Sequence, residues 1–364
     1  MNIIEISQKF PNEIDVVRCF ESIRWGKKSV CAYCGIALPK IKFPHKEAVM
    51  FQKSSKLAVV RREVLFCAFS LFCLFFAARD MYADFGKSGW TIFQKAQSVR
   101  SAAITSATPV TGDLSGVFYN PAVLGTDTQQ EIFFLSEIGA SEDKLGGFVY
   151  GMPLKSGMLS VGAVYFDAGQ MELNWLDAGG NLLSENVTSQ RDMLGIISYG
   201  HKFSGSFYSG LSLKVATSEI AERDSSLAYA GDLGVLFMPA EKLNIAAAIQ
   251  NIGSSTKFLS ESNPLPTAGY IGGSYVFDSG KLRIVPAAGV IYNLTDKETS
   301  PEVGAEIGYG LLSLNAGYRL NADESNLLIG FILNLRNIDI GYAYIPGQYL
   351  NATHRVNIGL KFEN

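Results

Sequence analysis

From residue 130 onward, apolar and polar residues alternate one by one, and this period of two constrains the fold more than any other feature. Leu312, Leu314, Ala316, Tyr318 and Leu320 alternate with Ser313, Asn315, Gly317 and Arg319. Leu327, Ile329, Phe331, Leu333 and Leu335 repeat the theme, as do Val356, Ile358, Leu360 and Phe362. Successive side chains of a strand point to opposite faces, so each segment presents one apolar face and one of Gly, Ser, Asn and charge. A soluble sandwich alternates in the same way with its apolar face inward. Segments of about nine to eleven residues, with a large apolar group at nearly every outward position, instead match a transmembrane β-barrel.

Connection lengths give an independent test. Strands are expected at 130–138, 145–152, 157–166, 190–202, 206–218, 227–238, 243–251, 267–277, 282–292, 302–309, 311–320, 326–335, 338–345 and 354–362, fourteen in all. Every second connection is short: Pro153–Ser156, Phe203–Gly205, Pro239–Lys242, Asp278–Lys281, Gly310 alone, and Arg336-Asn337. The others are longer, as in Asp167–Ser189, Ile252–Pro266 and Asn293–Pro301. Insertion from one side produces this parity, with short periplasmic turns and long external loops. Met171–Trp175 reads as a hairpin rising from the longest loop. Aromatic girdles are expected from Tyr150, Tyr199, Phe207, Phe237, Phe277, Tyr309 and Phe362 at the turn side, and from Tyr165, Tyr229, Tyr270, Tyr292 and Tyr342 at the loop side.

Composition agrees. Charged residues make up only 18% and mean hydropathy is +0.15, against about a quarter charged in soluble domains. Yet the one continuous apolar run, Val64–Ala78, is shorter than the roughly 18 residues of a spanning helix. A helical polytopic membrane protein is excluded.

The chain changes character near residue 83. Residues 1–83 carry 13 Lys+Arg against 7 Asp+Glu, whereas the remainder carries 18 against 27. All five cysteines, Cys19, Cys31, Cys34, Cys67 and Cys73, precede residue 74. Lys53, Lys56, Arg61 and Arg62 followed by Val64–Ala78 and Met81-Tyr82-Ala83 read as a secretory signal over 50–83, with either the true start at Met50 or residues 1–49 a fused remnant. That divides the chain into 1–49, the signal at 50–83, a lumen or plug segment at 84–129, and a barrel at 130–364.

Upstream of the signal, Cys19-Phe20-Glu21-Ser22-Ile23-Arg24-Trp25 and Cys31-Ala32-Tyr33-Cys34-Gly35 resemble the zinc-ribbon start of insertion-sequence transposases. Cys31 and Cys34 supply two corners of a Zn²⁺ tetrahedron, but a structural site needs four ligands. No second knuckle follows, so the pair is an incomplete half-site. The resemblance implies a truncated mobile-element fragment, and no nucleic-acid partner and no cofactor is expected.

A second resemblance covers most of the chain. Asp113-Leu114-Ser115-Gly116-Val117-Phe118-Tyr119-Asn120-Pro121-Ala122-Val123-Leu124 is similar to the segment before the first strand in the PorV/PorQ family, relatives of the FadL barrel. Tyr165-Phe166-Asp167-Ala168-Gly169, Gln250-Asn251-Ile252-Gly253, Asn263-Pro264-Leu265-Pro266 and Thr353-His354-Arg355-Val356 resemble the same family, in the same order. Arg100–Ala107 departs from it by lacking glycines. The resemblance implies a fourteen-stranded, FadL-like outer-membrane barrel with an N-terminal segment in its lumen, and Asn120, Pro121 and Ala122 as the family motif. It implies a component of, or scaffold for, protein secretion and surface attachment. The alternative is a FadL-like channel for hydrophobic small molecules, for which Phe148, Val164 and Ile291 have inward parity. The expected partners are outer-membrane lipid and either secretion-system proteins or a hydrophobic ligand.

No catalytic constellation is legible, and the chain reads as a non-enzyme. His201 falls at the turn-side end of its strand and His354 at the loop-side end of the last one, without a Ser or Asp partner at a recognisable spacing. In the lumen, a turn at Gly310 alone makes cross-strand partners sum to about 620. Glu302 is then expected opposite Tyr318 and diagonal to Arg319, with Glu302 and Arg319 in ion-pair reach at the loop-side rim and Arg355 on the same rim.

Overall fold

The computed structural model describes residues 88–95, 98–100, 114–127, 129–257, 263–320, 326–347 and 351–362. The half-site of Cys31 and Cys34, the signal at 50–83 and the stretch Ser101–Ala107 lie outside them. The barrel strands are β1 (Gln130–Ile138), β2 (Lys144–Leu154), β3 (Gly157–Asp167), β6 (Gln190–Lys202), β7 (Phe207–Ile220), β8 (Asp224–Ala240), β9 (Leu243–Ser255), β10 (Ala268–Tyr275) with its continuation β11 (Phe277–Ser279), β12 (Leu282–Asn293), β13 (Glu298–Tyr309), β14 (Leu312–Arg319), β15 (Leu327–Asn334), β16 (Ile338–Ile345) and β17 (Thr353–Phe362). All neighbours pair antiparallel, β1 pairs with β17 and β10 with β12, so the sheet closes on itself as a fourteen-stranded barrel. Closure leaves no edge strand with unpaired backbone groups, which hydrocarbon would penalise heavily.

The faces follow the alternation. In β14 the outward residues Leu312, Leu314 and Tyr318 are exposed, while Ser313 and Asn315 are buried in the lumen. Exposed Leu, Ile, Val and Phe recur around the wall, as at Phe134, Ile197, Leu213, Ile271, Ile329 and Ile358. This outward apolar belt is what places the barrel in an outer membrane. The turns at Lys155-Ser156, Glu241-Lys242, Gly280-Lys281 and Gly310-Leu311 are tight, and Gly310 takes the left-handed φ of 60° that its turn requires.

Two further strands, β4 (Gln170–Leu176) and β5 (Leu182–Thr188), form a hairpin of their own within the β3–β6 connection. Arg223 braces it, 3.0 Å from Glu185 and stacked 5.7 Å from the Trp175 ring.

Three expectations are corrected. Phe148 points outward, 43% exposed, because Leu145, Gly147 and Val149 occupy the inward parity of β2. Tyr270 joins Ser274 on the lumen face of β10, not the girdle, while Ile271 faces lipid. The turn after β13 has two residues, so partners sum to 621: Glu302 stands opposite Arg319, and Tyr318 opposite Val303.

Candidate functional site

The lumen is filled from within by the chain that precedes β1. Its described part starts at the loop side, where the Ser88 N–H donates to Asp296 at 2.8 Å and the Gly89 N–H donates to the Pro264 carbonyl at 3.1 Å. Nearer the turn side, two short 3-10 helices, Leu114–Phe118 and Pro121–Gly125, lead toward β1. Trp90, Ile92, Leu114, Val117, Phe118 and Leu124 pack against inward Phe133, Leu145, Val149, Met158, Val164 and Leu194. This half of the lumen is therefore an apolar core, which is why inward positions of β1–β3 and β6 break the polar-in rule.

The motif residues Asn120, Pro121 and Ala122 seat the plug. The Asn120 carboxamide accepts from the Ala122 N–H at 3.0 Å, capping the second helix, and donates to the Val235 carbonyl at 3.2 Å. Opposite them, Gly200, Gly210 and Gly234 stand in register on β6, β7 and β8. A Cβ at Gly200 would lie 2.7 Å from the Pro121 carbonyl oxygen; at Gly210 and Gly234 it would overlap Pro121 and the Asn120 carboxamide. Three missing side chains make one trough, and the turn lies in it.

Polar groups hold the rest of the plug. Gln250 donates to the Phe118 carbonyl at 2.6 Å, Lys95 pairs with Asp143 at 3.1 Å, and Arg100 with Glu306 at 2.8 Å. The Val99 N–H donates to Asn357 at 3.3 Å. Beside Gln250 the β8–β9 register shifts at Asp232. Asn251 adopts a left-handed φ of 57° there, donating from its N–H to Asp232 at 2.8 Å and from its side chain to the Pro266 carbonyl at 3.1 Å. Lys214, buried with Asp232, reaches that carboxylate at 2.7 Å and Asn251 at 2.9 Å. A bulge adds one residue and turns it away from the ladder; here it aims Asn251 at the loop and Gln250 at the plug.

Above the plug, toward the loop side, lies a cavity of about 610 Å³. Phe93, Phe118, Tyr119, Phe166 and Tyr270 supply aromatic lining, and Asn293, Glu298, Glu302 and Arg319 supply polar lining. The structure puts the Arg319 guanidinium 2.9 Å from Glu302, with Glu302 buried and the Arg319 side chain 32% exposed. Arg355 also lines the cavity, but it does not share that pair: its Nε donates to Glu137 at 2.6 Å and its Nη1 to the Ser98 carbonyl at 3.3 Å. Val164 and Ile291 both face inward, Val164 into the core and Ile291 onto the cavity. His201 and His354 sit at opposite ends of the barrel on its outer face, each bonded through Nδ1 to a tyrosine hydroxyl: Tyr199 at 3.1 Å and Tyr342 at 2.8 Å.

The sequence reading passed over Lys214, Asp232 and the three glycines, and took Gln250 and Asn251 only as part of a family-like segment. An inward charge in a strand, as at Lys214 and Asp232, was the available signal for the first two. No signal in one sequence announces that glycines on three strands will align.

No protein-family model matches the chain, and no curated protein sequence matches it. Solved structures do. The Pseudomonas putida toluene transporter TodX aligns over 77% of this chain and 99% of its own, at 11% identity and a TM-score of 0.50. This chain shares that fold. The Ralstonia pickettii toluene transporter TbuX (12% identity, TM-score 0.47, 74% of this chain and 100% of its own) and a Pseudomonas aeruginosa FadL homologue (9%, 0.42, 74% and 98%) are also similar.

Proposed function

We propose that the barrel conducts hydrophobic small molecules that carry a polar group, taking them up from the loop side into the plugged lumen. The carrying observation is the cavity of about 610 Å³ above the plug, with its aromatic lining and the Glu302–Arg319 pair. That volume lies within the roughly 300–1,000 Å³ of small-molecule sites, and its lining is divided about evenly between polar and apolar residues, which suits an amphiphile rather than a pure hydrocarbon. The likeness in fold to TodX, described as a toluene transporter, supports a transport role over a catalytic one. So do His201 and His354, which stand on the outer face at opposite ends.

A second reading, a secretion component or a scaffold for surface proteins, rests on the likeness of Asn120-Pro121-Ala122 and its flanks to PorV/PorQ sequences. Deleting the gene and measuring both release of surface proteins and uptake of monoaromatic and long-chain amphiphilic compounds separates the two. Lost uptake with unchanged release is expected. Lost release with unchanged uptake would overturn the channel reading in favour of the second.

A further inference from the structure

The two ends of the barrel differ in charge. Among the described residues, the loop-side connections hold seven acidic residues against three basic ones. The six turns hold Lys155, Lys242, Lys281 and Arg336 against Glu241 alone. Among the described residues, no carboxylate lies within ion-pair distance of Lys155, Lys242 or Lys281, and all three are exposed. Lys361, at the same end, shows the contrast: it is taken up by Asp339 at 2.6 Å.

Just beside these lysines the lipid-facing belt is still apolar. Leu154 precedes Lys155 and is 46% exposed; Phe203 at 64%, Tyr309 at 65% and Leu311 at 59% bound or occupy neighbouring turns. Exposed Leu and Phe at the turns set these backbones at the edge of the hydrocarbon. Lysines there reach the depth of lipid phosphate, as long cationic side chains do at an interface.

We propose that the turn-side rim binds anionic phospholipid headgroups of the periplasmic leaflet, of which phosphatidylglycerol is the test case, through Lys155, Lys242 and Lys281. Their spread over separate turns around the wall fits an annulus of lipids better than one protein footprint. Each Lys near an anionic surface strengthens the attraction about fivefold.

The test uses the full-length protein in detergent with equal phosphatidylglycerol and phosphatidylethanolamine, counting retained lipids by native mass spectrometry. The wild type is expected to keep phosphatidylglycerol about tenfold over phosphatidylethanolamine. K155Q/K242Q/K281Q is expected to lose the preference, and K155R/K242R/K281R to restore it. K257Q, which removes a loop-side lysine, is expected to leave it unchanged. Heat-modifiable gel migration verifies that each variant is folded. Equal retention of the two lipids by the wild type, or an undiminished preference in the glutamine variant, overturns the proposal. So does binding of a polyglutamate peptide through the same lysines without lipid preference, which would assign the rim to an acidic protein.

Discussion

Arg355 and Glu137 face each other directly across the seam between β17 and β1, both withdrawn from solvent, with Arg355 Nε 2.6 Å from the carboxylate. The same guanidinium donates to the Ser98 carbonyl of the plug. One side chain thus links first strand, last strand and lumen segment. Removing one member of such a buried pair strands the other charge and costs about 3–5 kcal/mol, whereas replacing both with apolar groups is often neutral. Arg355→Met and Glu137→Leu should each lower the urea midpoint of the folded, heat-modifiable form, and the double variant should recover most of the loss. Additive losses in the double variant would mean that the two side chains act separately.

The trough of Gly200, Gly210 and Gly234 makes a steric prediction. Gly210→Val should push Pro121 off the wall while leaving the outer belt intact, since its side chain would enter the lumen. Ion conductance in planar bilayers should rise because the plug no longer seals the turn side. Gly205→Val, in a turn with open space around it, is the control and should conduct like wild type. Equal conductance in both variants would count against the seal.

The Glu302–Arg319 pair should behave unlike the seam pair, because the Arg319 side chain is 32% exposed to the cavity. Arg319→Gln keeps an amide that can donate to the buried Glu302, so it should lower stability less than the seam variants do while weakening uptake of amphiphilic compounds. Intact uptake would remove Arg319 from the ligand path.

The external hairpin carries a pH prediction. The Thr188 hydroxyl donates to Glu222 at 2.6 Å and its backbone N–H at 3.3 Å, which holds the Glu222 carboxyl below its usual range. A depressed folded pKa contributes stability above the unfolded value, about 4.3, and the contribution is lost as pH falls through the folded value. The brace should thus persist at neutral pH and loosen only in acid. A ¹⁹F resonance from 5-fluorotryptophan at Trp175, which stacks on the neighbouring Arg223, should report it. Thr188→Val should move the transition to higher pH; an unmoved midpoint would mean that Thr188 does not set it.

The wall of the barrel was readable because lipid imposes a rule at every outward position. Leu312, Leu314 and Tyr318 face hydrocarbon and alternate cleanly with Ser313, Asn315 and Gly317. The lumen was less readable because a plug relaxes that rule: Leu145 and Val149 turn inward against Leu114, so an apolar residue in β2 no longer declares its face. Phe148 was misplaced for that reason. The one-residue error at Glu302 came from turn length: the favoured hairpin loop has two residues, here Gly310-Leu311, and Gly310 alone is one too few. Orientation survived the error because inward parity within each strand does not depend on the turn. The bulge at Asn251 escaped notice because its left-handed backbone is set by Asp232 and Pro266, which are distant in sequence.

The pairing of β1 with β17 joins segments at opposite ends of the barrel sequence, Gln130 with Phe362. Contacts of such long sequence separation form late and slowly. The plug is tethered to β1, so the strand that completes the wall is also the one that carries the lumen's contents. Closing the β1–β17 seam completes the wall around the segment that holds Asn120-Pro121-Ala122. A chain stalled before Thr353 would leave β1 without that partner and the plug without its closing wall.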